Sequence, residues 1–193
     1  LSMTAGQSVI VRVAGTGSLI GPYVLNYTFI PANDACASAV AVPNGTTPFL
    51  NLGATTDGPA ACDITNDVWY KYTATCTGTV NVSLCGSSFD TALAVYRTFT
   101  CPPTQTVACN DDNGPLCSGV ASSAQFSATT GNTFLIRVGG HAGLRGAGGP
   151  TATGGRGAGC TANPASSRSG CIGTIKLSLG CTARPHPSSA CGC

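Results

Sequence analysis

The sequence predicts an all-β protein: an antiparallel, jelly-roll-like β-sandwich, rich in disulfides and preceded by a strand pair that is a partial repeat of it. Three observations carry this. Apolar and polar residues alternate over short runs bounded by Gly, Pro, Asn and Ser, and no 3.6-residue periodicity persists. Twelve cysteines, an even number, stand at wide and irregular spacing. A stretch near the start is written again near the end: TAGQSVIVRVAG at 4–15 matches TTGNTFLIRVGG at 129–140, and GPYVLNY at 21–27 matches GTIKLSL at 173–179.

In chain order, the strand expectations are these. Over 4–29 the first copy puts Val9, Val11 and Val13 on one face and Ile10 and Arg12 on the other, with Val24, Leu25 and Tyr27 in the second strand of the pair. The stretch 34–42 admits a turn of helix. DVWYKYTAT at 67–75 and TALAVY at 91–96 are rich in β-branched and aromatic residues. Between them Val80, Val82 and Leu84 alternate with Asn81 and Ser83. Phe134, Ile136 and Val138 repeat the opening pattern with Arg137 in the outward slot, and Ile175, Leu177 and Leu179 alternate with Lys176 and Ser178. In the first copy only residues 16–20 separate the two strands, whereas 141–172 intervene in the second. That insertion, nearly all Gly, Ala, Ser, Thr and Arg, has no core-forming residues and reads as a long surface loop. No GK[ST] follows it, so a phosphate-binding reading fails. The domain expectation is a strand pair over 1–31 equivalent to the end of a preceding repeat, a complete sandwich over 32–182, and a Cys-containing tail or start of a next repeat over 183–193.

Composition narrows the class. Charged residues are 8%, Glu is absent, and the net charge is +2 with Lys71 and Lys176 the only lysines. No basic run with interleaved aromatics suggests nucleic acid. No apolar run approaches the roughly 18 residues of a membrane span. Leu1 opens no signal-peptide pattern, which fits a mature or excerpted chain. The cysteines Cys36, Cys62, Cys76, Cys85, Cys101, Cys109, Cys117, Cys160, Cys171, Cys181, Cys191 and Cys193 contain no CxxC zinc knuckle. They read as disulfides formed in an oxidising, extracellular space. One pairing is excluded: a strand over 79–85, at about 3.3 Å per residue, carries Cys85 about 20 Å from the turn beside Cys76, beyond the roughly 7 Å a disulfide tolerates.

Several strings in order resemble a family: NDAC at 33–36, TDGPAAC at 56–62, DVWYKYTAT at 67–75, SSFDTALAVY at 87–96, ACNDDN at 108–113 and the closing TGNTFLIRVGG. Together, over about residues 33–181, they resemble the bacterial pre-peptidase C-terminal domain and its cysteine-rich relatives in tandem on large secreted or surface proteins. The resemblance implies a jelly-roll-like sandwich that acts as a non-catalytic carrier, adhesion or binding module. The 141–172 insertion departs from it.

The acidic residues are few enough to weigh singly. Asp90, Asp111 and Asp112 offer hard oxygen ligands from loops at one sandwich end, suited to Ca²⁺; the competing expectation is that Asp90 caps a turn and bonds the 110–113 backbone. No other cofactor is expected. His141 and His186 fall beside Gly or Pro in expected loops, and GxSxG, HExxH and paired catalytic carboxylates are absent; the expectation is a non-enzyme. Asn26, Asn44 and Asn81 match the N-glycosylation pattern, as chance matches in a Ser/Thr-rich chain often do. Function is then expected to be structural: a subunit of an extracellular filament or surface layer whose partners are copies of itself or adjacent repeats, joined by strand exchange or tandem linkage. The alternative is an adhesion or carbohydrate- or protein-binding module of a larger secreted protein.

Overall fold

The computed structural model describes residues 9–25, 29–97, 100–146 and 173–181. After a short 3-10 turn at Cys36–Ser38 come nine strands among the described residues: β1 (Val40–Ala41), β2 (Gly45–Phe49), β3 (Ile64–Thr73), β4 (Gly78–Ser83), β5 (Thr91–Tyr96), β6 (Thr106–Asn110), β7 (Ser123–Ala128), β8 (Thr133–His141) and β9 (Gly173–Cys181). They form a sandwich of two sheets, ordered β1-β3-β8-β5-β6 and β2-β9-β4-β7. Only the short β1–β3 pair is parallel; every other neighbour is antiparallel.

Alternation explains the layer between the sheets. Val68, Tyr70 and Tyr72 of β3, Leu93 and Val95 of β5, and Phe134, Ile136 and Val138 of β8 point inward from the five-stranded sheet. Val80 and Val82 of β4, Ala124 and Phe126 of β7, and Ile175 and Leu177 of β9 meet them from the other. Phe126 and Phe134 touch across the layer at a centroid distance of 4.6 Å. The outer face of the four-stranded sheet is polar, with Thr79, Gln125, Ser127, Lys176 and Ser178 in solvent.

The five-stranded sheet differs, because its outer face is covered too. Ile64, Trp69, Ala92, Ala94, Tyr96 and Leu135 form a second buried cluster there with Cys36. This is why all of β5 is buried. It also corrects the outward slot expected for Arg137: the side chain does leave the sandwich interior, but it lies fully buried beneath the cover. A bulge between Thr65 and Val68 adjusts β3 to that cover. Asn66 sits in it at φ 49°, a left-handed conformation that Asn tolerates. The extra residue turns Ile64 to the same outer side as Trp69.

Four disulfides tie the described strands: Cys36–Cys101, Cys62–Cys109, Cys76–Cys181 and Cys85–Cys117. Cys76 thus joins the end of β9 and not Cys85. Cys160, Cys171, Cys191 and Cys193, like most of the insertion and the tail, lie outside the described residues.

The opening segment stands apart from both sheets. Residues 9–25 form no strand within the chain, and Val9, Val11, Val13, Val24 and Leu25 are exposed; Tyr27 lies outside the described residues. Nor do the strands it duplicates form a hairpin. β8 is bonded to β3 and β5 in one sheet, β9 to β2 and β4 in the other.

The Cys76–Cys181 bridge closes a long loop, with a sequence separation of 105. Replacing both cysteines by Ala is expected to cost about 2–5 kcal/mol of stability, read as a lower midpoint in guanidinium unfolding with the remaining bridges intact.

Candidate functional site

Polar side chains gather at three places, and their partners separate what holds the fold from what is left free. The first is the cover over the five-stranded sheet. Arg137 donates from Nη2 to Asp67 Oδ1 at 2.8 Å and to the Ile64 carbonyl at 3.1 Å, and from Nη1 to the Pro59 carbonyl at 2.6 Å. Its guanidinium lies over the Trp69 ring, 5.7 Å from the centroid. Trp69 in turn donates from Nε1 to Asp57 Oδ1 at 2.6 Å, and Asp57 Oδ2 accepts from the Cys36 amide at 2.9 Å. Asn33 brackets the same residue: its carbonyl accepts from the Trp69 amide and its Nδ2 donates to the Trp69 carbonyl. Asp34 accepts from Thr55 through both the amide and the hydroxyl. The strings NDAC and TDGPAAC therefore supply the ties of the cover, and their carboxylates are structural.

Burial pushes the Asp67 carboxyl above its ordinary range, a shift that Arg137 opposes and nearby Asp57 reinforces. Burial works against the Arg137 charge as well, but the hydrogen bond and charge of Asp67 outweigh it and hold the guanidinium protonated. Gly58 packs so closely on the Arg137 side chain that a Cβ there has no room. Arg137→Met should strand a buried carboxylate and cost about 3–5 kcal/mol. Adding Asp67→Leu to it should return most of that loss, as measured by chemical denaturation.

The second place is one end of the sandwich. Asp90, Asp111 and Asp112 come together there, each offering an oxygen within 4.8 Å of the others. His141 ends β8, not a loop, and its Nδ1 lies 2.8 Å from Asp111 Oδ2; His186 lies outside the described residues. The turn does not use Asp90 as the capping expectation has it. Asn110 Nδ2 donates to the Asp112 carbonyl and Ser122 Oγ to the Asp111 carbonyl, while Asp90 Oδ1 and Asp111 Oδ1 are buried without a hydrogen-bond partner. Burial, then the charges of Asp111 and Asp112, raise the Asp90 carboxyl pKa, with His141 opposing. Burial also raises that of Asp111, which His141 lowers and Asp112 and Asp63 raise again. Three hard oxygens at that spacing fit one small hard cation.

Raised folded-state pKa values mean that the folded chain binds protons more readily than the unfolded one. Stability from Asp90 and Asp111 therefore rises as pH falls toward the ordinary value of 3.8 and is lost as pH climbs through the folded values. In chelator, Asp90→Asn is expected to raise the melting temperature at pH 7 and flatten that slope. Calcium separates the two readings of the trio: ligation raises the wild-type melting temperature but not that of Asp90→Asn, and an unchanged melting temperature leaves a like-charge turn cluster.

The third place is the segment 9–25. Ile10, Ile20, Leu19, Tyr23 and Val24 are each more than two-thirds exposed, an apolar run that no other described residue covers. Of the three positions that match the N-glycosylation pattern, Asn44 Oδ1 accepts from the Tyr72 hydroxyl and Asn81 is bonded to Ser178 and Gln125; Asn26 lies outside the described residues.

Sequence reasoning found the acidic trio and the exposed segment. It missed Asp57, Asp67 and Asn51 as structural anchors, and no short-range pattern marks them, since each partner is distant in the chain. Asn51 is fully buried and accepts from the Gly146 amide at 2.9 Å, fixing the start of the insertion.

The molecule is a disulfide-bonded β-sandwich. No family model matches the chain, and no curated protein matches it. Among solved structures it is similar to the pre-peptidase C-terminal domain of collagenase from Bacillus anthracis, at 10% identity over 72% of this chain and 94% of that one, with a TM-score of 0.43. At that distance nothing about ligand or activity passes from one chain to the other. No helix among the described residues is long and apolar enough to cross a membrane.

Proposed function

We propose that this chain is a non-catalytic structural module of an extracellular assembly, in which sandwich units are joined through the segment ahead of the sandwich and hardened by disulfides. The observation that supports this reading is the exposed apolar run at 9–25, on a segment whose sequence duplicates two strands of the sandwich itself. Water-exposed Val, Ile, Leu and Tyr in that density call for a protein surface to cover them. Four disulfides over a low-charge, Thr- and Gly-rich chain suit a durable material outside the cell.

The adhesion or carbohydrate-binding alternative draws no comparable support. Sugar recognition favours an exposed aromatic platform, and among the described residues the exposed aromatics are Tyr23 and Phe29, both ahead of the sandwich. Trp69 is fully buried in the cover. For catalysis, His141 is paired with Asp111 and stands among carboxylates, an arrangement of acids and a base alone.

Negative-stain electron microscopy of native material, with and without reductant, tests the reading. Regular filaments or sheets with a repeat of one sandwich are expected, loosening under reductant. Dispersed single particles at high concentration would refute it.

A further inference from the structure

The duplication extends beyond letters to conformation. After β8 the chain turns through His141–Leu144, where the Leu144 amide donates to the His141 carbonyl at 2.9 Å. At the matching place in the first copy the Leu19 amide donates to the Thr16 carbonyl at 3.4 Å. Gly140 backs so closely on the Leu144 carbonyl that a Cβ would collide with it, and Gly15 backs in the same way on the Leu19 carbonyl. Residues 9–25 thus take the turn that follows β8 although no sheet is present to impose it.

Matched position by position, the exposed apolar side chains coincide with buried ones. Val9, Val11 and Val13 stand for Phe134, Ile136 and Val138, which are at most 1% exposed; Ile10 stands for Leu135 in the outer cluster. Tyr23 and Leu25 stand for Ile175 and Leu177, both in the inner layer, while Val24 stands for Lys176, which faces solvent. Arg12 stands for Arg137, the buried partner of Asp67. Phe29 stands for Cys181, so the bridge to Cys76 has no counterpart in this first copy.

A complete copy of this chain offers no room for the segment, because its own β8 and β9 already fill the two central positions. The partner must present both positions open. We propose that residues 9–13 and 21–25 enter opposite sheets of a single partner: a sandwich unit of this same architecture that lacks its own eighth and ninth strands and carries a carboxylate on its third strand for Arg12. This rests on the structural reading above and specifies its joint. Among the two modes of joining, it selects an adjacent unit completed by this segment over exchange between identical, already filled sandwiches. In that register each of the two inserted strands gains neighbours on both sides, which an edge-added hairpin would not.

Hydrogen exchange on native, undissociated assemblies tests the joint, together with two neighbouring substitutions. Amides at 9–13 and 23–25 are expected to exchange as slowly as those at 134–138 and 175–177. Leu25→Lys should abolish assembly, Val24→Lys should leave it intact, and Arg12→Met should weaken it. The segment lies outside the sandwich, so an unchanged melting temperature of each single chain confirms that folding is untouched. Assemblies in which 9–25 exchange at loop rates, or in which both lysine variants behave alike, overturn this inference and leave the structural reading standing. Absence of any assembly overturns both.

Discussion

The buried Arg137 is the constraint around which the five-stranded sheet is arranged. A guanidinium removed from water needs its charge balanced and its donors satisfied. Asp67 supplies the charge, the Pro59 and Ile64 carbonyls take further N–H groups, and Trp69 lies beneath the plane. Each of those partners dictates something else. Reaching Pro59 requires the 55–63 segment to run across the sheet, Asp67 requires the bulge at Asn66, and the buried Trp69 requires Asp57 for its indole N–H. Once the segment crosses, the outer face is dry, and β5 becomes buried on both sides. The disulfides Cys36–Cys101 and Cys62–Cys109 then clamp the cover at two points.

How much of this was legible in the sequence follows from the range of each interaction. The cores of β3, β4, β5, β8 and β9 show in alternation because period two is local and their inner face is uniform. β2, β6 and β7 escaped notice for physical reasons: β2 carries Pro48 at a sheet edge, β6 is short and edge-placed, and β7 packs mostly small residues, Ala124 and Ala128, around Phe126. The cover was invisible because alternation only says that Arg137 points away from the inner layer. Whether water or protein lies beyond depends on residues 55–63, far off in sequence. The acidic trio was legible as a set, yet its hydrogen bonding was not, since Asn110 and Ser122 hold this backbone through its carbonyls, which a carboxylate cannot do.

The distribution of aspartates sharpens the contrast between structure and site. Asp34, Asp57 and Asp67 each have hydrogen-bonded partners in or around the cover, so their charges are spent on holding it. Asp90 and Asp111 keep oxygens without a hydrogen-bond partner, as Asp67 Oδ2 does, but here further carboxylates stand close: Asp111 and Asp112 raise the pKa of Asp90, and Asp112 raises that of Asp111. Among the described residues, what sets the sandwich end apart is three carboxylates together, and what sets residues 9–25 apart is the density of exposed apolar side chains.

That β8 and β9 belong to opposite sheets alters what a duplicated pair can do. A hairpin adds to an edge and buries one side of each strand. A strand–turn–strand unit split between sheets has to span the sandwich, and each half must enter a central position. Its apolar faces then meet in one shared interior, as Ile136 and Ile175 do here, both fully buried in the inner layer. Such a unit cannot attach partway, because inserting one half without the other leaves an open groove in the second sheet. The proposed partner, for its part, would lack two central strands and have no complete core until the segment arrives. Folding and joining would then be a single event for that partner. A joint of this kind does not depend on an exposed sticky surface that competes with non-specific contacts, since its acceptor exists only as an unfilled sandwich. The arginine fits the same logic. Buried against a carboxylate it fixes register, while in any misaligned pairing it would be left without a countercharge, at a cost that apolar contacts alone would not impose.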